Sequence, residues 1–322
     1  LTTGDIDRFV RNFWEITSLP NWSYYIQNTI ATSHYSGRSD VIHWGKSGEV
    51  ISEFPGAFVK GKNAWNHQGI RITQMRALAA TLYNGELFGK SAATIVARKS
   101  SHLPAIWCFC SSPEFNDVVR HIDQKVNVTI STLVKVPFDL AHWQQVAAER
   151  YPNGLPKPYS DDPTQWIFHG HPKPATDPLQ VALARVLGYR WPAEQDASME
   201  LSDAARACIA QTASLADLCD DDGIACLPSV RGEPALVDRL RAMLARAFGA
   251  DWSAAREAAL LSGAGCDGMP LAQWLRDKFF EQHVARFQKR PFLWHVWDGH
   301  KEGFSAVLNY HTVSYTHLTL PT

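Results

Sequence analysis

The sequence predicts an α+β fold, and three observations carry that prediction. Short β-rich runs separated by turn residues crowd residues 1–136, apolar residues at helical period fill 177–286, and a Pro-rich aromatic stretch lies between them. Hydrophobic residues make up 45% of the 322 and charged residues 20%, which is globular composition and excludes a disordered or collagen-like chain. That length gives room for two ordinary domains or one large one. No stretch approaches the roughly 18 apolar residues of a membrane span. A soluble cytoplasmic protein with no membrane partner is the expectation.

In order along the chain, residues 5–16 have helical spacing and lack the basic and apolar regions of a signal peptide. Strands are expected over 40–44, 50–54, 69–73, 78–83, 92–97 and 126–136, with turns at Ser36-Gly37, Lys46-Ser47-Gly48, Pro55-Gly56 and Asn84-Gly85. Asn84-Gly85, between Leu82-Tyr83 and Leu87-Phe88, predicts a tight hairpin. Residues 103–122 read as helix in two pieces, the second starting at Pro113 after Ser111-Ser112. Eight prolines from Pro137 to Pro178 exclude one regular element there. Trp143, Tyr151, Tyr159, Trp166 and Phe168 make the stretch too aromatic for a disordered linker, so an ordered connector is expected.

Helices follow over 177–187, 202–216, 233–248, 252–261 and 271–286, then a β or mixed tail over 290–310 turning at Asp298-Gly299. The expected domains are therefore 1–140, a connector at 141–176, and a mainly helical 177–312. Residues 313–322, VSYTHLTLPT, are unrelated to what precedes them and read as a translated sequencing adaptor.

Charge is divided unevenly. Residues 1–135 hold 14 Lys and Arg against 10 Asp and Glu, while 136–322 hold 17 against 22, which hides a basic part inside a net charge of −1. Residues 60–76 contain Lys60, Lys62, Arg71 and Arg76 with no acid, interleaved with Asn63, Trp65, Asn66, His67, Gln68 and Gln74. Cations beside amides and an aromatic are what phosphate contact and base-edge reading require. An ordinary solvated loop is the plainer alternative.

Other chemistry is sparse. The six cysteines include no C-x-x-C and read as reduced thiols. His169-Gly170-His171 with Asp177 offers ligand types, but Pro172 and Pro174 turn the chain and no third ligand is near, so no metal is expected. Neither G-x-S-x-G nor a P-loop occurs, and Asp123 with Lys125 reads as surface charge.

Ile70-Arg71-Ile72-Thr73-Gln74-Met75-Arg76 and Thr81-Leu82-Tyr83-Asn84-Gly85-Glu86-Leu87-Phe88 resemble the target-recognition domain of large adenine-specific DNA methyltransferases, of the type IIG restriction–modification and BREX kinds. Leu103-Pro104-Ala105-Ile106-Trp107-Cys108-Phe109, Thr132-Leu133-Val134-Lys135-Val136-Pro137-Phe138-Asp139, Asp162-Pro163-Thr164-Gln165-Trp166 and Arg290-Pro291-Phe292-Leu293-Trp294-His295 extend the resemblance over residues 10–312. It implies a mixed-sheet recognition domain followed by a mainly helical one. It also implies a catalytic domain that binds S-adenosylmethionine on a Gly-rich strand–turn and holds a flipped adenine in an N-P-P-Y loop. Asp162-Pro163-Thr164-Gln165 lacks the second Pro and the aromatic, and Gly263-Ala264-Gly265 does not follow an expected strand.

The expectation is that the catalytic, S-adenosylmethionine-binding domain precedes Leu1 in a longer gene product. This chain would then be an inactive recognition fragment whose partners are double-stranded DNA and that domain. Lys60, Lys62, Arg71 and Arg76 are expected at phosphates, and Asn63, Trp65, Asn66 and Gln74 nearer the bases. His43, Trp44 and Lys46 form a second set, with core packing the alternative for Trp44 and Trp65. Two rival readings are a non-catalytic protein-interaction module that docks through its helical C-terminal part, and a hydrolase built on His169 and His171.

Overall fold

The computed structural model describes residues 3–316 apart from 28, 30, 76, 301 and 302. The fold is α+β, in two compact units: Leu1–Phe13 with Ser18–Pro158, and Trp14–Thr17 with Tyr159–Thr322. The division falls inside the stretch expected to be a connector. Trp143 and Ala147, on the Leu140–Arg150 helix, are buried in the first unit's core, whereas Trp166, Ile167 and Phe168 are buried in the second. The aromatics that argued against a linker thus belong to two separate cores.

The first unit contains two sheets. One has the order β1-β3-β2-β6, from β1 (Val10–Asn12), β2 (Trp22–Ile26), β3 (Asp40–His43) and β6 (Leu87–Phe88); β6 runs parallel to β2 and the other pairs are antiparallel. The other is antiparallel β5-β4-β7, from β4 (Gly69–Thr73), β5 (Ala80–Tyr83) and β7 (Ala92–Val96). Against this second sheet packs the Leu103–Cys110 helix, on which the Leu140–Arg150 helix rests, burying Ile70, Ile72, Leu82, Trp107, Phe109 and Trp143 together. The Pro113–Ile122 helix starts as expected, with the Ser112 hydroxyl accepting from the Phe115 amide.

Four local expectations are corrected. The helix over 5–16 is only Ile6–Phe9; Val10–Asn12 leaves it to pair with β3, so inter-strand hydrogen bonds override the helical spacing. Residues 50–54 are not a strand: 50–52 lie within the Glu49–Ser52 helical turn, which directs Ile51 inward. Residues 126–136 have β-rich composition and no sheet to join. They form the Ile130–Leu133 turn and leave Val126, Ile130 and Val134 exposed, with only Asn127 bridging to Met75.

The Asn84-Gly85 turn does not close a hairpin either, because β5 and β6 lie in different sheets. The Glu86 carboxylate accepts from the Asn84 amide at 2.8 Å and pairs with buried Arg38 at 2.9 Å. That pairing turns the chain away from β5.

The second unit builds on the Pro178–Val186 helix, buried on every side from Leu179 onward and packed on the Leu236–Phe248 helix. Its sheet is antiparallel β8-β10-β9, from β8 (Ile224–Cys226), β9 (Leu293–Trp297) and β10 (Ser305–Asn309). The expected helix over 271–286 breaks at Lys278 into Leu271–Asp277 and Phe279–Arg286. Trp14 is fully buried in this unit, edge-on to Phe287 at 5.2 Å with its indole N–H donated to the Arg290 carbonyl. No helix of the described residues is long and apolar enough to cross a membrane.

Candidate nucleic-acid interface

The basic stretch becomes a surface loop between β3 and β4. Phe58, Lys60, Lys62, Asn63, Asn66, His67 and Gln68 are exposed on it, and Lys46 is exposed at its start. Lys46, Lys60 and Lys62 have no carboxylate partner among the described residues, so their charge is available to an anion. Phe58, which the sequence did not single out, is 59% exposed on the same loop, with the Lys60 ammonium 6.0 Å from its ring. An exposed aromatic beside a cation is the only signal that would have found it.

What holds the loop is aromatic packing and backbone geometry. Trp44 and Trp65 meet edge to face at 5.6 Å and both rest on the Phe9, Tyr25, Ile42 and Ile51 cluster. The two indoles therefore join the His43–Lys46 segment to the 60–68 segment, and of the two roles open to them, packing is the one this arrangement supplies. Gly61 has φ +84°, and a Cβ there would stand 2.7 Å from the Phe88 ring. Asn66 has φ +61°, and its amide donates to the Gly85 carbonyl at 3.2 Å. At the loop's start, Glu49 accepts from the Lys46 and Ser47 amides, and those bonds hold its carboxyl down to about 2. The loop is built rather than merely solvated.

Other expected contacts are placed elsewhere. Arg71 is a correction: it is wholly buried in β4, and its guanidinium donates to Gly89 O at 2.9 Å and Gln27 O at 3.2 Å. Because Gln27 and Gly89 follow β2 and β6, Arg71 ties the two sheets of the unit together and faces no phosphate. Burial lowers its pKa to about 10, against the opposing pull of Tyr25, Tyr83 and Glu86. Gln74 leaves the strand end as a base reader must, yet its side-chain Nε2 donates to the Val128 carbonyl at 2.9 Å while its backbone carbonyl accepts from the Val128 amide. One side-chain donor of Gln74 is thus used in anchoring that segment. His43 lies against Trp22 across the strand pair, with ring centroids 5.1 Å apart. Arg76 lies outside the described residues.

His169 and His171 are buried, and their Nδ1 atoms accept from the His171 and Lys173 amides. Burial lowers His169 to about 3 and His171 to about 4, His169 being helped by His171 and His171 by Arg185 and Lys173. Groups so weakly basic are poor general bases at neutral pH.

Two segments bear on S-adenosylmethionine. Gly263 ends the Ala254–Gly263 helix rather than following a strand, and the Asp162 carboxylate is engaged by the Thr164 amide, the Thr164 hydroxyl and Arg286. Neither segment offers the geometry of a methyl-transfer site, so no catalytic step is assigned to this chain's residues. No protein-family model and no curated protein matches the sequence.

Proposed function

We propose that the first unit binds double-stranded DNA through the 44–68 surface. On this reading the chain is the sequence-recognition part of a site-specific adenine-N6 DNA methyltransferase of a restriction–modification or phage-defence system. The observation that carries it is the set of three exposed lysines, Lys46, Lys60 and Lys62, without carboxylate partners among the described residues, on a loop pinned by Trp44, Trp65 and Gly61. Lysines on a preformed loop lose less freedom on binding than lysines on a mobile one, and neutralised phosphates supply most of the affinity for duplex DNA. Asn63, Asn66 and Gln68, exposed between and beyond the lysines, offer amides of the type that read adenine edges. Methyl transfer, with S-adenosylmethionine as donor, belongs on this reading to the catalytic domain with which the chain works.

Selection from a pool of random duplexes tests the proposal on the chain itself. A short recurring motif that contains adenine is the expected return. A pool that enriches nothing contradicts recognition, and a motif without adenine contradicts the methyltransferase class.

A second reading, a protein-interaction module, is favoured by one observation in the second unit. Trp294, Val296 and Trp297 are exposed on β9, an edge strand of the sheet, and Phe304 is exposed just before β10. Trp297→Glu and Val296→Lys abolish any self-association or protein capture on this reading and leave DNA binding unchanged.

A further inference from the structure

The register of the β5-β4-β7 sheet carries the candidate interface beyond the loop that the sequence singles out. Gly69 opens β4 and stands opposite both Tyr83, at the end of β5, and Val96, at the end of β7. Three chain segments therefore emerge at one end of this sheet: 66–68 entering β4, Asn84-Gly85 leaving β5, and 97–99 leaving β7. Neighbouring strands lie about 5 Å apart, so these segments are side by side. The Lys62–Ala64 turn also packs beside β7. Asn66 and Gly85 are locked together: a Cβ on Gly85 would stand 2.7 Å from the Asn66 Cα, and Gly85 itself has φ +98°.

On the β7 side this end presents Arg98 and Lys99. Both are exposed, and neither has a carboxylate partner among the described residues. Their base is firm, because the Lys99 carbonyl accepts from the His102 amide at 3.0 Å and the chain runs straight into the buried Leu103–Cys110 helix. The sequence supplies the field as well. Residues 54–113 contain seven Lys and Arg against a single acid, Glu86, and that carboxylate is taken by buried Arg38.

We propose that Arg98 and Lys99 contact the phosphate backbone of the same duplex as Lys60 and Lys62, so that the whole end of the β5-β4-β7 sheet forms the DNA-facing surface. This rests on the reading that the first unit binds duplex DNA. Two cations on one loop can hold a backbone at a point; cations on two adjacent strand ends also fix the direction in which it runs. The amides of Asn66 and Gln68 then stand between two flanking phosphate contacts, and the Asn84-Gly85 turn sets their height.

The experiment is equilibrium binding of the full chain to a fluorescent duplex over a range of salt concentrations. The Arg98→Ala/Lys99→Ala variant is compared with Lys62→Ala and with Lys135→Ala, which removes an exposed cation elsewhere on the unit. Arg98→Ala/Lys99→Ala should flatten the log–log salt slope by about two units and Lys62→Ala by about one, at roughly 0.9 per lost phosphate contact. Lys135→Ala should leave it unchanged. Circular dichroism confirms that each variant is folded, which the exposure of these side chains leads one to expect. A wild-type slope in Arg98→Ala/Lys99→Ala alongside a flattened Lys62→Ala overturns this inference and spares the DNA-binding reading. Equal flattening by Lys135→Ala reduces the effect to bulk charge and overturns it too. Absence of duplex binding by the unaltered chain overturns both.

Discussion

Arg71 and Lys62 show how little charge alone says about a residue's work. Both lie in the same acid-free run, yet Lys62 is exposed and Arg71 is enclosed by two carbonyls and the Phe88 ring. Arg71→Ala should therefore act on stability: each acceptor left bare in the interior costs about 1–3 kcal/mol. Urea denaturation should show that loss, while the folded fraction binds DNA with unchanged affinity and salt slope. A weakened slope at full stability would return Arg71 to the phosphates. Gln74→Ala should likewise cost about 1 kcal/mol, through its lost bond to Val128, and leave the selected DNA motif unchanged. A changed motif would show that Gln74 reads a base. The sequence could not separate these roles, because alternation places Ile72 and Gln74 on one strand face but is silent on which backbone groups lie within reach. The exposure of Lys60, Lys62, Asn63 and Asn66 was legible because Gly61 and the polar neighbours mark a loop, and loops lie at the surface.

At the scale of elements, the strands Gly69–Thr73 and Ala92–Val96 were legible from period and turn residues, whereas Val10–Asn12 and Trp22–Ile26 were not. The missed strands are short and their identity depends on pairing with β3, a non-local contact that no local window contains. The Asn84-Gly85 turn is the sharpest case. Its dipeptide has the chemistry of a hairpin, but Glu86 is drawn to Arg38 and Gly85 presses on Asn66, so it joins two sheets instead. Gly85→Ala tests that role. A Cβ would meet main chain, which cannot swing aside, and non-glycine backbone at this φ costs about 1–3 kcal/mol besides. The variant should be less stable and, by displacing Asn66 and Gln68, should blur the selected motif more than it lowers overall affinity. Unaltered selection with reduced stability would remove the 66–68 segment from recognition.

Across the whole molecule, the two units answer to different chemistry. The second unit holds His169, His171 and His283 buried and His311 half-buried, desolvation lowering them to about 3, 4, 3 and 4, with the Trp14 carbonyl partly restoring His311. Depressed histidines are protonated in the unfolded chain first. Their contribution to stability is complete above the ordinary 6.5 and is lost as pH falls from there toward 4 and below, at up to about 1.4 kcal/mol per pH unit for each. Tryptophan fluorescence of Trp166, Trp191 and Trp274, all in this unit's core, should report unfolding at steadily lower urea from pH 6.5 to pH 4. A flat midpoint over that interval contradicts the burial of neutral histidines. The division at Pro158 was not legible, because the proline-rich stretch looks uniform in sequence while its halves serve different cores.

Duplex binding by the first unit is measured most directly by a salt titration of the full chain against Lys60→Ala/Lys62→Ala. The unaltered chain should bind with a log–log slope of at least about −3, and the double variant should lose about two units of it with its fold intact. A chain that binds no duplex at low salt, or a double variant with an unchanged slope, would contradict the assignment.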